Sequence, residues 1–279
     1  MWRRGWEWVN RIRRHSMMRA DQVWALSARR LSPSSPIAAF DGHPRFALIT
    51  VNFATTRYLK LMLLTLSEQT RVDLVEHIVV VDNCPRASDD GFLPALAEQV
   101  SRVQLVENRW FAYHARGVRA GIGALNRIER GRPQERQSNL LLFCDPDVVF
   151  RHPATLDALA AITLERGAAL VGEPRGNDLS PDIQASFLVV RRDIYARRDV
   201  VPWVHHGSPA LWMQRSIART GLPVVGFPSN FGGYVLHRGR AAVAAAGEVN
   251  RFHPYATVSY RHPHYLGVPH GALWVRDMR

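Results

Sequence analysis

Residues Asn139 to Phe150 read NLLLFCDPDVVF, an apolar run that ends abruptly on Asp145 and Asp147, one residue apart. The run from Asn139 to Cys144 has strand length and almost no polar break, which predicts a central strand covered on both faces. A strand of that kind belongs in an open α/β sheet, where ligands gather at the carboxyl ends of the strands, and the aspartates stand at that end. Two carboxylates delivered together suit a hard divalent cation, Mg2+ or Mn2+, and through it a bound diphosphate. The tripeptide also suits a turn, because Asp-Pro initiates turns and Asp bonds its own backbone. With fourteen Asp in 279 residues, chance alone supplies roughly 0.7 Asp-x-Asp, so the setting carries the argument.

Working outward, the same strand-then-helix rhythm recurs. Phe46–Phe53 (FALITVNF) is a buried strand, and Thr55 or Thr56 caps a helix running through Leu66. His77–Val81 is a second strand ending on Asp82 and Asn83, followed by a loop through Pro94, and Val103–Val106 a third. Phe111–Ile128 reads as a helix despite its glycines. After Asp147 come a helix at Leu156–Leu164, strands at Ala168–Val171 and Ser186–Val190, a helix at Pro209–Thr220 and a strand at Val224–Phe227. This alternation calls for an α/β fold, a single domain with a mostly parallel central sheet and helices on both faces.

The flanks differ in composition. Residues 1–31 hold eight arginines against Glu7 and Asp21, a net +6 and half of the whole chain's +12, together with Trp2, Trp6, Trp8 and Trp24. On a helix this is the pattern of a basic arm at an anionic membrane surface; a docking helix and a frayed tail are the alternatives. No nucleic-acid-binding motif accompanies the charge, and Lys60 is the only lysine, so the arginine excess reflects composition more than nucleic-acid chemistry. Residues 32–44 read as a Pro/Ser linker, 45–249 as the catalytic domain, and 250–279 as a tail rich in His and aromatics that closes a site. Cys84 and Cys144 lack metal-ligand spacing and fit reduced core thiols of a cytosolic protein. Neither a secretory h-region nor a run long enough to span a bilayer is present, so the expected location is cytoplasmic, soluble or peripheral on the inner face of the membrane.

Four motifs in order resemble the family 2 glycosyltransferases with a GT-A fold, in particular the rhamnosyltransferase-like branch: ITVNF (Ile49–Phe53), VVVDN (Val79–Asn83), ENRWFAYHARGVRAGIGAL (Glu107–Leu125) and LLFCDPDVVF. The resemblance runs from Phe46 to Val243. It implies a Rossmann-like GT-A sheet and a nucleoside-diphosphate sugar donor held by Thr50, Asn52, Asp82, Asn108, Arg116 and Asp145. Arg116 replaces the helix Asn of the family pattern. The metal, Mn2+ or Mg2+, is then held by Asp147 with Asp145, and by His237 in GYVLHRGRAAV, with His262, His264 and His270 competing for that place. The acceptor would be a hydroxyl, on a glycan or lipid-linked molecule.

The base is where the chain departs from this pattern. Ser208-Pro209 stands where the family has an acidic pair, so the candidates are His205 or His206 before it, or Glu173, Asp178 or Asp182 on the acceptor side. Trp203 and Trp212 could offer an apolar platform for a sugar ring. Two rival functions remain at this stage. A Mg2+-dependent nucleotidyl or phosphoryl transferase would want a Gly-rich phosphate loop with Lys, absent after the first strand. A degenerate transferase kept as a binding or scaffold protein is favoured by the missing acidic pair and opposed by the intact Asp145 and Asp147.

Overall fold

The structure is a computed structural model that describes residues 2–31, 39–85, 91–108, 113–174, 183–205 and 209–239, with Ala241 and Ala245. A long helix α1 (Trp2–Leu31) precedes β1 (Phe46–Asn52), α2 (Thr56–Ser67), β2 (Val75–Asp82), α3 (Phe92–Gln99), β3 (Val103–Glu107) and α4 (His114–Ile128). Then follow β4 (Leu140–Cys144), β5 (Val148–Phe150), α5 (Thr155–Glu165), β6 (Leu170–Pro174), β7 (Ile183–Arg191), α6 (Arg192–Tyr195), α7 (Leu211–Ala218), β8 (Val224–Gly226) and β9 (Val235–His237).

Seven strands form one sheet in the order β3-β2-β1-β4-β7-β6-β8. All of its pairings are parallel except those of β7, which runs against both β4 and β6. The expected mostly parallel α/β sheet with helices on both faces is therefore present, in a single domain. Every residue of β1 and of β4 is buried, because alternate side chains enter two separate cores. Phe46, Leu48, Leu140 and Leu142 meet Leu59, Met62 and Leu66 of α2, Leu93 of α3 and Leu156 and Leu159 of α5. Ala47, Ile49, Leu141 and Phe143 meet Val118, Ile122 and Leu125 of α4, Ile194 of α6 and Met213 and Ile217 of α7.

The glycines of α4 are what bring it onto the sheet. A Cβ at Gly121 would lie 2.9 Å from Ile49 Cγ2 and 3.0 Å from Val81 Cγ2, and one at Gly117 would lie 2.8 Å from Val51 Cγ1. Their i,i+4 spacing puts both on the buried stripe, so the helix gives up propensity there to sit close.

Three elements differ from expectation. Residues read as loop through Pro94 include α3, which begins at Phe92 with Pro94 in its first turn, a position where the missing N–H costs nothing. The two short strands β5 and β9 pair with each other outside the main sheet. Cys144 is buried as expected, but Cys84 is half-buried at the end of β2 rather than in the core. The N-terminal arm is helical and docks by its second half: Asp21, Gln22 and Ala25 are buried, and Asp21 pairs with Arg119 of α4.

Candidate active site

The chain order of the strands places the site. From β1 the chain moves to β2 and β3 on one side, then returns to place β4 on the other, so the crevice between the carboxyl ends of β1 and β4 is the switch point at which open α/β sheets receive ligands. The end of β1 aligns with that of β2, Asn52 facing Asp82, and Asp82 faces Glu107 of β3.

At this edge a polar network is built before any ligand arrives. Asn52, fully buried, donates from Nδ2 to Asp82 Oδ1 at 3.3 Å, and that oxygen also accepts the Cys84 N–H at 3.0 Å. Asn52 Oδ1 accepts the backbone N–H and hydroxyl of Thr55 at 3.1 and 2.8 Å. This holds a tight turn in which Ala54 takes φ 53, a left-handed conformation that costs a residue with a Cβ. Asn108 is tied in twice, its N–H to the Asp82 carbonyl at 2.8 Å and its Nδ2 to Asn83 Oδ1 at 2.9 Å. Thr50 is buried, and its hydroxyl has no hydrogen-bond partner among the described residues. Thr50, Asn52, Asp82 and Asn108 thus come together at the edge, while Arg116 lies exposed on the first turn of α4.

The Asp-Pro-Asp segment forms the turn that the sequence allowed and also brings its two carboxylates together with a third side chain that could join them around a metal ion. The turn is closed by the Val148 N–H on the Asp145 carbonyl at 3.2 Å. After the turn β5 leaves the main sheet and pairs with β9, Val148 opposite His237, which sets the His237 imidazole beside both carboxylates. Nε2 of His237 lies 3.3 Å from Asp147 Oδ1 and 3.7 Å from Asp145 Oδ2. One donor atom from each of the three residues falls within 4.8 Å of the others. Asp147 is anchored through Oδ2 by the Ala241 N–H at 3.2 Å, and the His237 N–H donates to Asn230 Oδ1 at 3.0 Å.

The crowding of these three groups shifts all of them. Burial pushes Asp145 up to about 7, with the His237 charge pulling it down and the Asp147 charge adding to the rise. Burial raises Asp147 as well. The charge and hydrogen bond of His237, the Ala241 N–H and the Arg238 charge outweigh it, and its carboxyl lies below the usual range. His237 is raised despite burial, by Asp147 and then Asp145. Two carboxylates with one imidazole are a donor set that would fit a divalent cation, whose charge would offset the crowding of the two carboxylates.

Of the base candidates, Glu173 sits at the carboxyl edge of β6 with both oxygens committed. It accepts from the Ser229 hydroxyl at 2.9 Å, from the Asn230 N–H, and from the Phe231 N–H at 3.1 Å. That carboxylate organises the loop that presents Asn230 and His237. His205 is buried, its ring stacked on Tyr113 with centroids 4.1 Å apart, and its N–H donates to Asp21 of α1 at 2.7 Å. His206, Asp178, Asp182, Ser208 and the tail histidines His262, His264 and His270 lie outside the described residues. Trp203 is fully buried against Phe143 and His114, so it is a core side chain and not the sugar platform that the sequence allowed; Trp212 is half-buried on α7.

One residue at the site was missed. His114, the first residue of α4, places Nε2 3.9 Å from Asp145 Oδ1. Although 36% of its side chain is exposed, loss of hydration among its neighbours pushes it down to about 4, with Asp147 opposing and His205 adding to the shift. It is a neutral imidazole near neutral pH. The available signal was its place at the start of the helix after the third strand, where a side chain faces the same crevice.

The fold is of the mixed α/β, GT-A-like kind seen in solved glycosyltransferases. Among solved structures, S. aureus TarS residues 1–349 matches at a TM-score of 0.51 and 12% identity, over 74% of this chain and 64% of that one. The mannosyltransferase PcManGT from Pyrobaculum calidifontis, solved in complex with GDP-Man and Mn2+, aligns at a TM-score of 0.48 and 18% identity over 80% of this chain and 66% of that one. This chain therefore spans less than two thirds of the length of either. No protein-family model and no curated protein matches it.

Proposed function

We propose that the protein transfers a hexosyl group from a nucleoside-diphosphate sugar to a hydroxyl acceptor on a glycan or lipid-linked molecule, with metal dependence and inversion. The observation that carries this reading is the convergence of Asp145, Asp147 and His237 within 4.8 Å at the switch point next to the Asn52–Asp82–Asn108 network. When bound, Mn2+ or Mg2+ at those three residues neutralises the charge that builds on the departing nucleoside diphosphate. Asp82 and Asn108 accept and donate hydrogen bonds to the nucleoside, and Asn52 holds Asp82 in place for it. The N-terminal N–H groups of α4, with Arg116 on its first turn, offer positive charge to the phosphates.

Inversion needs a single base that takes the acceptor proton as the new bond forms. Glu173 is engaged by three donors, so the role falls to an imidazole nitrogen of the His205–His206 segment, with Asp182 as its rival. The motifs' likeness to the rhamnosyltransferase branch makes dTDP-rhamnose a member of the donor panel beside UDP- and GDP-sugars.

Thermal shift with Mn2+ and that panel is the test. A matching donor at a hundredfold excess over its Kd should stabilise by about 2.7 kcal/mol, roughly 5–10 °C. Asp147→Ala should abolish the shift. A wild type that no donor stabilises, or a shift that survives the substitution, ends the metal-donor reading. Binding without turnover would leave a donor-binding protein instead of a transferase. Transfer assays on His206→Ala and Asp182→Asn then separate the two base candidates.

A further inference from the structure

Helix α1 has two opposite faces with opposite tasks. Asp21, Gln22 and Ala25 are buried against the domain. There Asp21 pairs with Arg119 and accepts the His205 N–H, and Gln22 donates to the His205 carbonyl. Trp8, Val9, Ile12 and Val23 are between 45% and 66% exposed. At the helical repeat these four fall within an arc of about 100° that lies roughly opposite Asp21 and Ala25. A soluble domain has no use for such a stripe, half of it large apolar side chains, on a helix already satisfied on its other side.

Charge identifies what covers it. Residues 1–31 carry eight arginines against two acids, and one of those acids, Asp21, is already consumed by Arg119. Arg19 lies exposed within the apolar arc itself. The stripe runs about 22 Å along the helix axis, and no helix among the described residues is long and apolar enough to cross a membrane. We propose that α1 lies flat on an anionic lipid surface, its Trp8–Ile12–Val23 stripe sunk among the acyl chains and its exposed Arg13 and Arg19 at the phosphates.

The docked face then fixes how the domain meets that surface. Arg119 bonds both Asp21 and the Trp203 carbonyl, and the charges of Arg13 and Asp21 both act on Tyr113, which stacks on His205. The helix therefore runs beside the His205–Tyr113 rim of the site. The inference stands on α1 alone and survives if the donor reading fails.

Flotation of the full chain with phosphatidylcholine vesicles, with and without phosphatidylglycerol, tests it. The chain should float with the anionic vesicles only, and less as salt rises. The triple variant W8S/I12S/V23S, which leaves the docked face untouched, should lower the bound fraction about tenfold or more at an unchanged melting temperature. Failure to float, equal flotation on neutral vesicles, or undiminished flotation of the triple variant overturns the proposal. So does a dimer in light scattering that the triple variant dissolves without any flotation, since a second copy of the chain would then be what covers the stripe.

Discussion

At the scale of single residues, the site rests on carboxylates doing different jobs in similar surroundings. Glu173 is as buried as Asp147, yet its oxygens meet N–H and O–H donors, whereas those of Asp145 and Asp147 converge with an imidazole. Glu173→Gln should therefore act through the loop at 229–231. It turns one accepting oxygen into an amide donor that faces a backbone N–H and leaves the remaining bonds neutral, costing about 1.5–3 kcal/mol of stability, and by loosening Asn230 and His237 it should weaken Mn2+ binding roughly tenfold. Titration with Mn2+ beside a melting curve checks both. A variant that binds Mn2+ normally and keeps its melting temperature but transfers no sugar would return Glu173 to the role of base. The Asp145–Asp147 pair could be picked out because two carboxylates at a strand end are a local pattern, and so could Asp82 at the end of β2; Asn52 came only with the resemblance of ITVNF. His114 was signalled only by its place at the start of the helix after the third strand; its approach to Asp145 depends on where that strand and α4 lie relative to β4, a distance no local spacing encodes.

Elements carry the next layer, and α4 shows it most sharply. Its glycines weaken the helix by about 1 kcal/mol each relative to Ala, so propensity predicts that Gly121→Ala stabilises. The contacts predict the reverse. The new methyl would meet Ile49 and Val81 of two central strands at 2.9 and 3.0 Å, and branched side chains fixed in a buried sheet yield poorly. We expect a net loss of about 1–3 kcal/mol, read as a lower urea midpoint at unchanged slope. Stabilisation would mean that α4 shifts freely across the sheet. Most strands and helices were legible because each spans enough residues to show its period: β1, β4 and α2 emerge from apolar spacing alone. Two kinds of feature did not. The strands β5 and β9, three residues each, exist only through their pairing with one another, and the reversal of β7 is set by its partners and not by its own composition. That pairing is also what sets His237 beside Asp145 and Asp147, so the acids of the candidate cluster could be picked out locally while its imidazole had rivals in the tail.

Over the whole molecule, the parallel half that carries the Asn52–Asp82–Asn108 network must be held against the half that begins at β7, and a buried ion pair does this. Glu129, just past α4, accepts from the Ser138 N–H and hydroxyl at 2.8 Å each, lies 3.3 Å from His77 Nε2 on β2, and pairs with Arg192 at the start of α6. Arg192 also donates to the Ser138 carbonyl and to Asn126 Oδ1, both at 2.9 Å. Burial works to raise the Glu129 carboxyl, but His77, Arg192 and the Ser138 donors overcome it and hold it down to about 2, well below the usual carboxylate range. A carboxyl depressed by folding contributes stability that is complete above its unfolded value and drains away as pH falls through its folded value. Acid should accordingly begin to weaken the wild type below about pH 4.5 and remove this contribution by about pH 2. Glu129→Gln should lose that part of the acid dependence and, with Arg192 left buried and unpaired, about 3–5 kcal/mol near neutral pH. Replacing both partners, E129M/R192M, removes the stranded charge and should recover most of the loss. If the double variant is no more stable than Glu129→Gln, the pair is not what joins the halves, and the Ser138 bonds to Glu129 must carry the seam instead.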